Sequence, residues 1–276
     1  MKNRPKVFLI DNGSLRPAAT FGLRALSAKL SERLDLSVEP VSLLHSHKIP
    51  AEKIGGLPAT IVRRQLKACV AAGERELILL PLFLGPSSAI ADYLPELIEE
   101  ARATAPDLNV RIAAPLVGAD VEAPDPRLAE ILADHVREVI HRNGLVRPQV
   151  ALVDHGTPMR LVNTVRNAVA RQLESLLAED VRSVIAASME RREGDAYAFN
   201  DPLLENLGTV SEPVSDCVVA MFFLLPGRHA GPGGDVVEIC DGLLESKFCE
   251  RIHQTPLMAE HPKLLEILSD RLSVVW

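Results

Sequence analysis

The sequence predicts an α/β protein built from two similar units, each a parallel sheet flanked by helices, and three observations carry that prediction. The first is an internal repeat. Val7-Phe-Leu-Ile-Asp-Asn-Gly-Ser14 and Val150-Ala-Leu-Val-Asp-His-Gly-Thr157 share four apolar residues, Asp, a variable residue, Gly and a hydroxyl, at an offset of 143 residues. The second is a matching pair further on, Leu77-Ile-Leu-Leu-Pro-Leu-Phe-Leu-Gly-Pro86 against Cys217-Val-Val-Ala-Met-Phe-Phe-Leu-Leu-Pro226, at an offset of 140. The third is the character of these segments: continuous apolar runs bounded by Pro and Gly suit strands buried on both faces, as parallel sheets require. A chain of 276 residues accommodates two such units of about 140 residues each.

Taken in order, Val7 to Ile10 reads as the opening strand, and Asn12-Gly13-Ser14 as a tight turn after it. Ala18 to Leu34 then places Leu23, Leu26 and Leu30 on one helical face. Ser37 to Leu44, the run from Leu77, and Val110 to Ala114 supply further strands between helical segments. Asn143-Gly144 to Pro148 breaks the pattern and marks the boundary, giving units 1–145 and 146–276. The second unit repeats the scheme. Val150 to Val153 opens it, Val162 to Leu177 is a helix with Val165, Val169 and Leu173 on one face, and Val181 to Ala187 and the run from Cys217 are strands. A three-residue insertion within Ala230-Gly-Pro-Gly-Gly234 restores the offset of 143, so that Asp235 falls opposite Asp92. The tail from Pro262 to Trp276, apolar at Leu264, Leu265, Ile267, Leu268 and Leu272, reads as a closing amphipathic helix. The competing architecture is one long doubly wound sheet.

Composition narrows the function classes. Apolar residues make up 47%, charged residues 24% and aromatics 4%, which excludes a largely disordered chain and requires an aliphatic core. The formal net charge of −7 has the wrong sign for a general nucleic-acid or anionic-membrane binder, so an anionic ligand must be met by local basic groups. Cys69, Cys217, Cys240 and Cys249 form no CxxC pair, pointing to reduced thiols rather than a disulfide scaffold or structural zinc site. The basic start Met1 to Lys6 is followed by too short an apolar run for a signal-peptide core, and nothing approaches the roughly 18 apolar residues of a membrane span. A soluble cytoplasmic monomer or homodimer is expected.

Ligands of open parallel sheets bind beyond the carboxyl ends of the strands, and there the two copies diverge. After the opening strand the first copy has Asn12 and the second His155; at the other landmark the first reads Pro86-Ser87-Ser88-Ala89 and the second Pro226-Gly227-Arg228-His229. Two imidazoles at the ends of different strands of one sheet can face one small volume. Near neutral pH each can accept a proton or give a lone pair to Co²⁺, Ni²⁺ or Fe²⁺. Read singly, either histidine is equally a polar residue satisfied by backbone in a turn.

Val-Asp-His155-Gly-Thr and Phe-Phe-Leu-Leu-Pro-Gly-Arg-His229 resemble the two signature regions of the sirohydrochlorin chelatase family, the class II tetrapyrrole chelatases of cobalamin and sirohaem biosynthesis. The resemblance covers most of both halves and is strongest around 150–160 and 217–235. It implies a chelatase-like fold with two units facing each other across a cleft. It also implies an enzyme of the lyase class that inserts a divalent metal, Co²⁺, Fe²⁺ or Ni²⁺, as substrate into a tetrapyrrole, with no permanently bound cofactor. Carried over residue by residue, it makes His155 and His229 the groups that hold the metal and help remove the displaced pyrrole protons. Asn12 and Ala89 leave the first unit with a degenerate site, and Thr157 stands where the family usually has Ser.

Further candidates follow. Glu190, placed opposite His47 at the offset of 143, could add a carboxylate to the metal path; its alternative is a solvated acid beside Arg191 and Arg192. His45 and His47 form a His-x-His pair at a strand end, where loop exposure is the favoured reading. Asp235, Glu238 and Glu245 fall on one side of a helix and could pass metal to His229, although Asp235 as the helix cap is preferred. Arg228, Arg160 and Arg16 are candidate substrate-binding residues, because guanidinium forks suit the carboxylate arms of a uroporphyrinoid. Gly227, Gly231, Gly233 and Gly234 offer backbone N–H groups, and Cys249 with His253 has a C-x₃-H spacing that no second pair completes. Two rival functions stand beside the chelatase: a non-catalytic tetrapyrrole or metal carrier on the same fold, and a hydrolase using Asp154-His155, which lacks a Ser or Cys nucleophile motif.

Overall fold

The computed structural model describes residues 4–276. The first three residues of the basic N-terminal segment lie outside them. Two separate four-stranded sheets are present, every pairing parallel, which removes the single-sheet alternative. The first contains β1 (Lys6–Asp11), β2 (Val38–Ser42), β3 (Glu76–Pro81) and β4 (Asn109–Ile112) in the order β2-β1-β3-β4. The second contains β5 (Gln149–Asp154), β6 (Ser183–Ser188), β7 (Val214–Met221) and β8 (Cys249–Gln254) in the order β6-β5-β7-β8. The central strands β1, β3, β5 and β7 are the apolar runs of the repeat, and Leu9, Ile10, Leu77, Leu80, Val150 and Val153 are fully enclosed. β8 was not foreseen. Its sequence, Cys-Glu-Arg-Ile-His-Gln, lies on a sheet edge where polar side chains reach solvent, so it carries no apolar signal.

Seven α-helices accompany the described strands: α1 (Pro17–Leu34), α2 (Val62–Ala71), α3 (Leu94–Arg102), α4 (Pro126–Asn143), α5 (Arg160–Leu176), α6 (Asp235–Glu245) and α7 (Pro262–Val275). Pro17 opens α1, where its missing N–H costs nothing. Asp125 caps α4 by accepting from Arg127 N, and Gly144 ends it in the left-handed region. Among the described residues no helix is long and apolar enough to cross a membrane.

The repeat boundary and the compact units differ. One unit comprises Met1–Ala119 with Leu265–Trp276, the other Asp120–Leu264, so the expected division at 145/146 does not describe the packing. α4 belongs to the second unit because it packs on α5: Arg137 pairs with Asp180 at 2.9 Å and donates to Leu176 O, while Gln172 donates to Pro124 O. Most of α7 returns to the first unit, where Arg271 donates to Pro115 O and Leu116 O at 3.1 and 2.9 Å. All four cysteines are free and buried. Burial pushes the Cys240 and Cys249 thiols up to about 11 and that of Cys217 higher still, leaving them as unreactive core groups.

Candidate functional site

The second unit assembles the site on the carboxyl ends of β5, β6 and β7. β5 ends in Asp154, whose Oδ1 accepts from Gly156 N at 3.1 Å and so closes the turn that carries His155. Gly156 adopts φ +89°, and a Cβ there would stand 1.8 Å from Glu190 O. Only glycine allows this approach. The turn after β5 and the end of β6 are joined by Met189 N donating to Asp154 O (2.8 Å) and Glu190 N donating to His155 O (3.2 Å). Glu190 is thereby delivered beside the imidazole, with Oε1 3.5 Å from His155 Nε2.

The same construction in the first unit corrects one alignment. Gly13 meets Leu44 O as Gly156 meets Glu190 O, and Asp11 pairs with Ser42 as Asp154 pairs with Ser188. Glu190 therefore corresponds to Leu44 and not to His47. Three extra residues precede β6, widening the offset before Glu190 is reached.

β7 leads into the loop that carries His229. The His155 and His229 rings lie 4.4 Å apart between centroids, at an interplanar angle of 75°. His229 Nδ1 is 2.6 Å from Asp235 Oδ2, and His155 Nδ1 is 3.1 Å from Gly156 O. A ring whose Nδ1 donates to such an acceptor has Nε2 as the nitrogen left to offer a lone pair. The N-cap of α6 is Gly234, not Asp235; Asp235 is the first helical residue and its carboxylate is turned onto His229. A Cβ at Gly234 would meet His229 O at 2.7 Å, and Val236 N donates to that same carbonyl, so the inserted loop is pinned to the helix start.

A buried polar network lies beneath the His155 turn. Ser188 Oγ donates to Asp154 Oδ1 at 2.6 Å, and Arg166, only 2% exposed, donates to Ser188 Oγ (2.6 Å) and Asn200 O (2.8 Å). Asn200 accepts from Thr157 N at 3.0 Å and donates to Thr157 O at 2.9 Å. Burial raises the Asp154 carboxyl above its ordinary value, and the Arg166 cation is the largest opposing influence. At the position corresponding to Arg166 the first unit has Leu23, which is buried. Without that cation Asp11 is pushed up to about 6 by burial, although Ser42 bonds it.

The remaining candidates separate clearly. Arg160 opens α5 with its guanidinium over the Phe199 ring, and Arg228 is exposed 3.8 Å from Asp235. Arg16 stands at the N-cap of α1, and His45 and His47 in the loop after β2; all three belong to the first unit, outside the imidazole pair's unit. His45 is exposed, and burial lowers the pKa of His47. Glu238 lies in the first turn of α6 and Glu245 at its end, with no bond to either imidazole among the described contacts. Cys249 is a core residue of β8. Among the described residues no group of three or more His, Cys, Asp or Glu is arranged to hold a metal ion, so Glu190 does not complete a three-ligand set with the two imidazoles. Arg166 and Asn200 were missed. Arg166 carried a signal, since a charged residue one step from Val165 and three from Val169 sits inside the apolar stripe of its helix.

Residues 6–139 match the CbiX family model. SirB from Bacillus subtilis with Fe³⁺ superposes with a TM-score of 0.68 at 15% identity, over 98% of this chain and 95% of that one. The sirohydrochlorin chelatase SirB from Bacillus subtilis subspecies spizizenii in complex with cobalt gives 0.67 at 16% identity, over 98% and 94%. CbiX, described as the terminal enzyme of sirohaem biosynthesis in denitrifying bacteria, gives 0.61 at 15% identity, over 99% and 100%. No curated protein matches the sequence.

Proposed function

Residues 6–139 match the CbiX family model and both units repeat one fold, and from that premise we propose that this protein is a chelatase inserting a divalent metal, Co²⁺ or Fe²⁺, into sirohydrochlorin or a closely related tetrapyrrole. The observation that carries the reading is the imidazole pair of the second unit, 4.4 Å apart, each ring engaged through Nδ1 and with Glu190 Oε1 3.5 Å from Nε2 of His155. The Fe³⁺ and cobalt reported with the SirB neighbours support a late transition metal as the substrate ion.

The chemistry follows from this donor set. Nε2 of His155 and Nε2 of His229 offer two borderline ligands to an incoming ion, and an open two-imidazole site releases its cargo more readily than a closed cage. As the ion moves onto the four ring nitrogens, two pyrrole N–H protons must leave. The imidazole lone pairs freed by the departing metal are then available to accept them. Glu190 lies beside His155 Nε2 and Asp235 against His229 Nδ1, so a carboxylate stands next to each ring that would take a proton. Charge balances: one dication enters the ring and two protons leave it.

The test is metal insertion followed by the visible spectrum of sirohydrochlorin, with enzyme at catalytic concentration. The parent is expected to turn over many equivalents with Co²⁺ or Fe²⁺, and His155→Ala and His229→Ala to lose at least about 100-fold in rate, the scale of losing a proton acceptor. Near-parental rates in both variants would remove the mechanism. A spectral change that stops at one equivalent of ring per protein would instead identify a carrier.

A further inference from the structure

The start of α5 and the loop beyond β6 each carry a guanidinium group whose arrangement the metal chemistry does not use. Arg160 Cζ lies 4.7 Å from the centroid of the Phe199 ring, and Arg192 Cζ lies 5.8 Å from that of Tyr197. The two rings are neighbours, 6.4 Å apart between centroids. Arg160 and Arg192 are exposed and have no carboxylate partner among the described residues. Arg191, between Glu190 and Arg192, differs: it pairs with Asp201 at 2.9 Å and donates to Gly194 O. Glu193 and Asp195 of the same loop make no ion pair with either free cation among the described contacts.

This ledge is fastened to the catalytic turn. Asn200, next to Phe199, exchanges two hydrogen bonds with Thr157, two residues beyond His155, and also donates to Tyr197 O at 3.0 Å. Its carbonyl is held by buried Arg166. The ledge is confined to the unit that carries the imidazoles: the first unit has Pro17 where the second has Arg160, and no arginine–aromatic pair is found there among the described residues. A guanidinium laid on a ring face keeps its N–H edge free, in the geometry that grips a carboxylate by two parallel bonds.

We propose that Arg160 on Phe199 and Arg192 on Tyr197 form the subsite for acidic side arms of the macrocycle, and that they set its preference for acid-rich over acid-poor rings. This rests on the chelatase reading and adds to it the recognition element. In a chain of net charge −7, two unneutralised cations beside the imidazole turn are a local attraction for a polyanionic ring. The carboxylates bind at the ledge while the ring nitrogens, which carry no charge to attract arginine, are left for the metal.

The experiment measures steady-state insertion and metal-free binding for the parent, Arg160→Ala, Arg192→Ala and the double variant. The double variant is expected to raise KM for sirohydrochlorin at least about tenfold while kcat and the KM for Co²⁺ stay within about threefold, the signature of lost ground-state binding. Fluorescence titration with metal-free uroporphyrin is expected to weaken by a similar factor, and titration with a dicarboxylate porphyrin to change far less. Arg160→Lys, which keeps the charge and loses the flat fork, is expected to fall between parent and Arg160→Ala. If the double variant binds uroporphyrin and sirohydrochlorin as the parent does, the ledge has no such role. That outcome is separable from failure of the chelatase reading, because the titration needs no turnover and His155→Ala judges the chemistry alone.

Discussion

Asp235 engages Nδ1 of His229 at 2.6 Å and so orients the ring. Asp235→Asn keeps the size of the side chain but removes the carboxylate that accepts from Nδ1 and orients the ring. Insertion is expected to slow by about 10- to 100-fold with unfolding by urea little changed. A rate within about twofold of the parent would show that the carboxylate orients nothing of consequence. Gly156 acts through space rather than charge. Gly156→Ala places a Cβ 1.8 Å from Glu190 O at a φ of +89°, so the turn must open. The second unit is expected to lose about 2 kcal/mol or more, read by urea denaturation. These two residues also show what sequence can and cannot convey. His155, His229 and the glycine turn were legible because the two copies could be laid over one another and the differences read off. Asp235 was seen as a helix cap, since the inserted Gly-rich loop that folds it onto His229 has no counterpart in the first copy.

At the scale of the elements, α5 and α1 occupy matching places and differ where it matters, Arg166 against Leu23. Arg166 holds Ser188 and Asn200 and opposes the rise in the Asp154 carboxyl, so Arg166→Leu leaves a buried acid and unpaired acceptors. A loss of about 3 kcal/mol is expected for the second unit, with the β6 loop released from the His155 turn. In the first unit the corresponding acid already lives without a cation. An ordinary Asp has a pKa near 3.8, whereas folded Asp11 holds its proton to about 6. Between those values the native state binds a proton that the unfolded chain has given up, so its stability falls as pH rises from about 4 to 6 and stays about 3 kcal/mol lower above that window. Asp11→Asn is expected to remove this slope when unfolding is compared at pH 4.5 and 7.5. An identical slope in parent and variant would contradict the assignment. The strands and their parallel order were legible from apolar runs. The edge strand β8 was not, since strands exposed to water on an edge lose the pattern that betrays the buried ones.

For the molecule as a whole, the repeat read from sequence and the units read from packing are offset by one helix at each junction. Pattern matching locates where similar segments recur, but which helix packs on which sheet is fixed by side chains far apart in sequence, such as Arg271 on Pro115 and Leu116. Ile267, Leu268 and Leu272 of α7 are buried, each worth about 1.5–3 kcal/mol when enclosed. Removing Leu265–Trp276 is expected to lower the stability of the first unit by more than about 4 kcal/mol. Hydrogen exchange in β1 and β3 reports this directly, and unchanged protection there would place the helix elsewhere. The returning helix also limits how such a chain can shorten over generations. A stop codon placed after the second sheet strips the first unit of its closing helix, and a start codon placed where the second unit begins strands that helix without the unit it packs in. The first unit is therefore complete only once the chain has passed through the second and returned.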